Sequence, residues 1–277
     1  MSDTALEAVL RRDRLVTAVA LTLVAILAWG YVAWFGTISM PPVLTDTGMD
    51  MRMDGHSMAS QPMDMRLSSS PWSVTDLLFL AAMWTTMMVG MMTPSAAPMI
   101  LLYARVGRSA AAQGKPFAST AWFAAGYLLA WTGFALVATG AQWGLQQLAL
   151  LGPMMQSTNR LLGGGILVAA GIYQFTPLKN ACLGQCRAPL NFIQEHGGFR
   201  RDAAGSLRLG LLHGLYCVGC CWALMVLLFV GGVMNPVWIA GIVALVLVEK
   251  LAPAARWVSR GAGALLLGAG VWVLATA

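Results

Sequence analysis

The sequence predicts an all-α protein, a polytopic bundle of about seven transmembrane helices with a cytoplasmic N-terminus. Of its 277 residues, 58% are hydrophobic and only 10% are charged, whereas a soluble domain carries about 25% charged residues. The charged residues also cluster between long uncharged runs, and the basic ones alternate between the two sides of the predicted bundle. So apolar a chain cannot cover a water-facing surface, so the lipid bilayer is predicted to be its solvent.

Seven uncharged runs are the candidate membrane spans. The first, Leu15–Gly36, is too long for a cleaved signal peptide and has a poor cleavage site, which favours an anchor helix. The sixth, Pro236–Val248, is short for a full crossing, and is either a re-entrant hairpin or a helix that continues past Glu249. The other five runs are Leu77–Tyr103, Phe117–Thr139, Leu161–Leu178, Leu209–Met234 and Gly261–Ala277.

The basic residues give the orientation of these spans. With seven crossings and a cytoplasmic N-terminus, 14 Lys and Arg fall inside and 3 fall outside, namely Arg52, Arg66 and Arg160. This distribution follows the positive-inside rule at every loop. The net charge of +6 is therefore interpreted as topology, with no nucleic acid as partner. The sequence has no phosphate-binding glycine motif, so no nucleotide is predicted to bind.

A polar loop holds the first of three clusters of soft metal ligands. The chain is divided into a tail and anchor helix (1–36), an extracytoplasmic Met-rich loop (37–73) and a transmembrane metal-binding bundle (74–277). In the loop, six Met and one His fall within 17 residues that form no core for Met to fill. Thioethers select copper(I), and imidazole also suits copper. The loop is predicted to capture copper(I), with a low-complexity linker as the alternative; its predicted ligands are Met49, Met51, Met53, His56 and Met58.

The second cluster is a methionine stripe in the second apolar run. At 100° per residue, Met83, Met87 and Met91 fall within about 80° of one another, and Met88 and Met92 widen this face to about half the helix circumference. Pro94 and Pro98 follow and are expected to break the helix at membrane depth, where broken helices line cavities or are covered by protein. The stripe is predicted to form part of a metal path. The alternative is that these methionines pack against neighbouring helices or lipid.

The third cluster lies in the fifth apolar run, where an imidazole and three thiols share one helix face about 100° wide. Ionisable groups at membrane depth are costly and mark functional sites. Gly214 and Gly219 permit close approach of another helix, expected to be the methionine stripe. The alternative is that the cysteines pack as small apolar residues while the histidine bonds a backbone carbonyl. The predicted metal ligands are His213, Cys217, Cys220 and Cys221.

Two further features follow the fourth and sixth runs. Cys182 and Cys186 are spaced by one helical turn on the predicted cytoplasmic side, where thiols stay reduced. They are predicted to hold a metal ion through both thiolates, with inert thiols or a redox pair as alternatives. Glu249 and Lys250 are predicted to form a charge pair at a helix end, with a proton relay as the alternative.

Several of these motifs resemble a known bacterial family of domain-of-unknown-function proteins, described as predicted metal-binding integral membrane proteins. The resemblance spans about Asp76–Lys250, and it implies metal handling in a bacterial inner membrane. Some relatives are proposed as copper chaperones for tyrosinase-type oxidases. The motifs that carry it are Met83–Ser95, Tyr173–Arg187, Gly214–Trp222, Met234-Asn235 and Glu249-Lys250.

These observations predict a copper(I)-binding membrane carrier or chaperone, not an enzyme, for cuproenzyme maturation or copper homeostasis. Its expected partners are the lipid bilayer and a cuproenzyme or soluble copper chaperone. Two alternatives stay open. One is a membrane thiol-disulfide oxidoreductase that uses Cys182/Cys186 and Cys217/Cys220 as exchanging pairs, a chemistry that needs exposed, acidic thiols. The other is a non-catalytic assembly subunit of a membrane complex.

Overall fold

The computed structural model describes residues 73–115, 118–151, 157–252 and 255–277. The predicted anchor helix and nearly all of the Met-rich loop lie outside these residues. The described regular structure is helical, apart from one isolated bridge between Leu151 and Ser157. The all-α fold class is therefore confirmed for the described part of the chain, and Thr75–Ala277 forms one compact unit.

The helices begin where capping side chains or prolines fall in the sequence. Ser119, Asn159, Thr176, Asp202 and Asn235 each accept a hydrogen bond from a backbone N–H of the first turn, which satisfies donors that have no partner within the helix. The helices are α1 (Val74–Ala112), α2 (Thr120–Gln147), α3 (Arg160–Gln174), α4 (Pro177–Arg187), α5 (Pro189–Glu195), α6 (Ala203–Val226), α7 (Leu228–Gly231), α8 (Pro236–Leu251) and α9 (Ala255–Ala275).

Four described segments are long and apolar enough to cross a membrane. A fifth span results if α3 and α4, which meet at a bend of 64°, are counted as one. At 16 residues, α8 is shorter than these candidates. The predicted seven spans and their orientation therefore stay predictions. The four segments are Val74–Ala110, Thr120–Gln147, Ala203–Gly231 and Arg256–Ala275.

One local expectation about the helices is wrong. Pro94 and Pro98 do not break α1, which continues to Ala112. Beside Pro94, the Ser95 hydroxyl and the Tyr127 hydroxyl both donate to the Met92 carbonyl, so polar side chains serve the backbone near the prolines. The fourth apolar run, Leu161–Leu178, is divided between α3 and α4, which meet at a bend of 64°. Thr176 caps a new helix there, and Pro177 lacks the N–H that would continue α3.

Close packing between helix backbones fixes the bundle. Helices α2 and α6 touch through glycines, because a methyl group at Gly126 or Gly210 would collide with the backbone of the other helix. Helices α3 and α9 meet in the same way through glycines spaced by seven residues, where small side chains let two backbones approach. These glycines are Gly164 and Gly171 on α3 and Gly263 and Gly270 on α9.

An aromatic cluster fills the space between α1, α2, α5 and α6. The Tyr103 and Phe123 rings stack at a centroid distance of 4.8 Å, and the Tyr103 hydroxyl lies 2.6 Å from Ser206 Oγ. Phe192 and Ile193 bring the short helix α5 into this cluster. The cluster holds the first half of α6 in place, so the cysteines one turn further along have a fixed frame.

Candidate metal centre

The three cysteines of α6 lie on one buried face, as their helical spacing predicts. Each is 1% exposed. The Cys220 thiol donates to the Cys217 carbonyl at 3.1 Å, and the Cys221 thiol donates to the same oxygen at 2.9 Å. Both thiols therefore turn back along the helix toward Cys217.

The two cysteines of α4 join this face across a helix interface. Cys186 Sγ lies 3.9 Å from Cys220 Sγ. A methyl group at Gly219 would lie 2.9 Å from Cys182 Sγ, so Gly219 gives Cys182 its place. The Tyr173 hydroxyl, near the end of α3, donates to the Gly219 carbonyl. The bend between α3 and α4 thus brings Cys182 and Cys186 of α4 against the cysteines of α6, so the two predicted cysteine clusters form one group.

One methionine of α1 reaches the same group. The Cys221 thiol points at Met92 Sδ, 4.0 Å away, and Met92 is fully buried. Of the three methionines in the predicted stripe, Met91 is buried, whereas Met83 and Met87 are partly exposed. The face of α1 that is fully buried is set by Trp84, Met88 and Met92, which repeat every four residues. Within the predicted methionine face, Met88, Met91 and Met92 are therefore the buried members.

Cys217 is also contacted by polar groups from two other helices, and one of these groups is bonded to a third helix. Lys250 Nζ donates to Cys217 Sγ at 2.8 Å and to Ser95 Oγ at 3.0 Å. The Tyr127 hydroxyl lies 3.2 Å from the same sulfur. Helices α1, α2 and α8 thus each place a polar side chain near one thiol of α6. A buried cation beside a thiol favours its anionic form, which is the form that binds metals.

The other member of the Glu249-Lys250 motif has a different partner. Lys179 Nζ donates to Glu249 Oε2 at 2.7 Å and to Oε1 at 2.9 Å, and both side chains are buried. Gln174 bonds both partners. The predicted charge pair between Glu249 and Lys250 is therefore wrong, because adjacent helical residues point in different directions. Glu249 instead fixes the start of α4 against α8.

His213, one helical turn before Cys217, is surrounded by aromatic rings. Its ring centroid is 5.1 Å from Phe192, 5.9 Å from Tyr127 and 6.0 Å from Phe123. The side chain is 3% exposed. Within the described residues, its Nδ1 has no hydrogen-bond partner. A buried nitrogen without a partner costs about 1–3 kcal/mol, so this atom is available to a ligand.

Two glycines of α6 make room for α2 and α4, and not for the methionines of α1. A methyl group at Gly214 would lie 2.6 Å from Ala130 Cβ, so Gly214 makes room for α2. Gly219 makes room for α4 through Cys182. The expectation that these glycines receive the methionines of α1 is therefore wrong. The predicted ligands Met49, Met51, Met53, His56 and Met58 lie outside the described residues.

The chemistry of this donor set suits a soft ion of low coordination number. Among the described residues, no three His, Cys, Asp or Glu side chains are arranged to hold a metal ion as they stand. The sulfurs come in pairs, Cys186 with Cys220 and Cys221 with Met92. Two bonds of about 2.3 Å each, the length of a zinc–thiolate bond, span up to about 4.6 Å, so the 3.9 Å between the first two thiols admits one ion.

Sequence reasoning missed the polar neighbours of Cys217. Lys250, Tyr127 and Ser95 lie in apolar runs far from Cys217 along the chain. Lys250 carried a usable signal, since a cation at the end of an otherwise uncharged run is expected to have a specific partner. Nothing in the sequence identified that partner as a thiol.

Comparison with known proteins gives one match. The sequence model of the family PpoB2, described as a copper chaperone, matches residues 81–273. No curated protein and no solved structure matches the chain. The matched range contains α4, α6, α8 and all five cysteines, and the resemblance predicted from the sequence motifs is confirmed.

Proposed function

Because the chain belongs to the copper chaperone family PpoB2, we propose that it is a membrane-embedded chaperone for copper(I). The observation that carries the proposal is the pair of sulfur contacts between helices, Cys186 with Cys220 at 3.9 Å and Cys221 with Met92 at 4.0 Å. Copper is the cargo of this site, and no chemical conversion of it is needed for delivery. The proposed ligands in this group are Cys182, Cys186, Cys217, Cys220, Cys221 and Met92.

Sulfur donors favour copper(I) over other abundant ions. Thiolate and thioether ligands select copper(I) among the soft metals, whereas carboxylate and water suit harder ions. A copper(I) ion between two thiolates carries one net negative charge. Lys250, whose ammonium is 2.8 Å from Cys217 Sγ, supplies the compensating charge in surroundings where an unpaired one is costly.

The remaining predicted ligands extend the proposal beyond the cysteine group. The outer loop captures copper(I), and the partly exposed Met83 and Met87, with Met91, lead along α1 toward Met92 and Cys221. His213 adds a ligand through its unpartnered Nδ1, one helical turn from Cys217. Delivery then proceeds by exchange between similar soft ligands and ends on a cuproenzyme or a soluble copper chaperone.

The proposed setting is a bacterial inner membrane with seven crossings and the N-terminus inside. The four apolar segments and the bent α3–α4 pair supply up to five of these crossings, and α8 with the anchor helix would supply the others. Reporter domains fused after residues 37, 112, 147 and 277 test this topology. Outside, inside, outside and outside readings are expected in that order, and an inside reading after residue 277 would contradict the count.

The copper proposal is tested by competition with a copper(I) chelator. The full chain is purified in detergent without oxygen and titrated with copper(I), and bound copper is measured as the chelator concentration rises. Met92→Leu is expected to weaken binding. Met99→Leu is the matched control, because Met99 is equally buried on α1 but lies in the aromatic cluster. Equal affinity of both variants and the parent protein would remove Met92 from the site.

A second titration isolates the outer loop. Deletion of residues 47–66 is expected to slow copper(I) loading while leaving the affinity of the membrane site intact. Unchanged loading kinetics would identify the loop as a linker. If zinc stays bound at every copper(I) concentration, the choice of copper as the cargo would be overturned.

A further inference from the structure

Cys186 and Cys220 form a thiol pair between two helices. Their sulfurs are 3.9 Å apart, one on α4 and one on α6. A disulfide requires about 2.05 Å between sulfurs, so a small approach of α4 toward α6 would close the bond. Cys220 is buried, whereas Cys186 is half-buried, so a solute would approach the pair from the side of α4.

The remaining thiols have other contacts. Cys217 Sγ is bonded by Lys250, and the Cys221 thiol points at Met92 Sδ. Cys182 lies against Gly219, one turn away from Cys186 on the same helix. All five cysteines are free thiols in this structure. Oxidation of the Cys186/Cys220 pair would therefore leave Cys217, Cys221 and Met92 as soft ligands for an ion.

We infer that Cys186 and Cys220 are a redox pair that reduces copper(II) to copper(I) beside the other cysteine ligands. In this step, two thiols and two cupric ions give one disulfide, two cuprous ions and two protons. The S–H bonds break, the S–S bond forms, and each copper ion accepts one electron. The inference rests on the proposed function, because it keeps the copper in the oxidation state that the thioether and thiolate ligands select.

The pair returns to its starting state with a soluble thiol as reductant. Two molecules of such a thiol reduce the protein disulfide by exchange and end as their own disulfide. Cys186 is the less buried residue of the pair, so the inference makes it the sulfur that the soluble thiol attacks. This chemistry differs from dithiol exchange between two protein pairs, since the oxidant is the metal ion.

The test is a single-turnover experiment on the full chain in detergent. Reduced protein, freed of reductant and oxygen, is mixed with copper(II), and copper(I) is read with a chromogenic copper(I) chelator. Free thiols are then alkylated and disulfides are mapped by mass spectrometry of peptides. Two copper(I) ions per disulfide and a Cys186–Cys220 crosslink are expected. A crosslink between any other two cysteines, or no crosslink, overturns the inference.

Variants check the assignment. Cys186→Ser and Cys220→Ser are expected to lose the disulfide and to fall to the copper(I) yield of protein whose thiols are blocked. Ala181→Ser is the matched control, because it places a serine on the exposed face of α4 and should keep the full yield. Full yield from Cys186→Ser would overturn the inference. The crosslink map uses the unmodified protein, so it stands even if a variant misfolds.

Failure of the inference and failure of the proposed function are distinguishable. Direct titration with copper(I) tests binding without any redox step. Copper(I) binding without reduction of copper(II) would overturn only the redox pair. Reduction with the expected crosslink, but without retained copper(I), would overturn the chaperone proposal and leave the redox pair.

Discussion

Two neighbouring turns of α6 carry groups of opposite character, although the sequence presents them as one ligand face. Around His213, the ring is enclosed by Phe123, Tyr127 and Phe192, and we call this the aromatic compartment. One turn further, Cys217, Cys220 and Cys221 meet Cys186, Met92 and Lys250, and we call this the sulfur compartment. The difference is produced by the neighbouring helices, since α2 and α5 supply rings while α1, α4 and α8 supply sulfur and charge.

The two compartments are held together by different forces. The aromatic compartment depends on dispersion and close backbone packing between α2 and α6. The sulfur compartment depends on one buried ion pair, Lys179–Glu249, which fixes α4 against α8. Packing defects and charge defects should therefore act on separate compartments, and each prediction below probes one of them.

The largest effect is expected from Lys179→Met. It leaves Glu249 buried without its cation, which costs about 3–5 kcal/mol of folding free energy, and α4 loses its attachment. The mid-point of unfolding in mixed detergent micelles should fall sharply, and copper(I) binding with it. The double variant Lys179→Met/Glu249→Gln should recover most of the stability. A double variant no better than the single one would show that the pair does not hold α4.

The next effect is expected from Cys217→Ser. Removal of a group that is hydrogen-bonded to a metal ligand typically costs 10–100-fold in metal affinity, so loss of a ligand itself should cost about 100-fold or more. The unfolding mid-point should change little, because serine fills nearly the same volume. Chelator competition measures the affinity. Unchanged affinity would show that Cys217 is not a copper ligand and that its contact with Lys250 does not serve copper binding.

A packing defect tests the aromatic compartment. In Gly210→Ala, the added methyl group meets the Phe123 carbonyl oxygen, which should destabilise the protein by about 1–3 kcal/mol. Gly133→Ala on α2 is the control, because its methyl group meets open space and alanine favours helix by about 1 kcal/mol. Unfolding in detergent distinguishes them. Equal stability of both variants would contradict the close α2–α6 contact.

A smaller effect is expected from Lys250→Met. The substitution keeps the volume of the side chain and removes the charge 2.8 Å from Cys217 Sγ. Copper(I) affinity should fall by about 10-fold, the smallest loss that is typical when a group bonded to a metal ligand is removed. Lys250→Arg should retain part of the affinity, because it keeps the charge. An affinity that rises in Lys250→Met would mean that the ammonium competes with copper for Cys217.

The smallest effect is expected from His213→Phe. Phenylalanine fits the aromatic compartment and removes the unpartnered Nδ1, so stability should be unchanged or slightly raised, while copper(I) affinity falls by about tenfold or less. Chelator competition and unfolding, measured on the same sample, separate the two outcomes. Unchanged affinity would make the aromatic compartment purely structural and would confine the metal site to sulfur.

Local periodicity explains what the sequence could predict. The all-α class follows from long apolar runs, and the common face of Cys217, Cys220 and Cys221 follows from a helical period of 3.6 residues. Both depend only on neighbours along the chain. The same reasoning could not tell which part of the methionine face on α1 is most buried, because Met83, Met87 and Met91 form as regular a stripe as Met88 and Met92. Packing against other helices, and not periodicity, decides which stripe is buried.

Long-range contacts explain what the sequence could not predict. The position of α4 depends on Lys179 and Glu249, which are 70 residues apart, and on a bend at Thr176. The contact of Lys250 with Cys217 joins residues 33 apart. Such pairings have no local signature, since each residue alone resembles an ordinary helix-end charge. The sulfur compartment could therefore be predicted in its parts but not in its assembly.

The Glu249-Lys250 motif also sets the order in which the protein can mature during synthesis. Lys179 and Cys217 emerge from the ribosome well before the two residues that bind them. Until α8 has been inserted, α4 has no anchor and Cys217 has no neighbouring cation. A nascent chain that ends before residue 249 would thus expose reactive thiols without a finished site, so quality control by proteases is expected to remove such fragments.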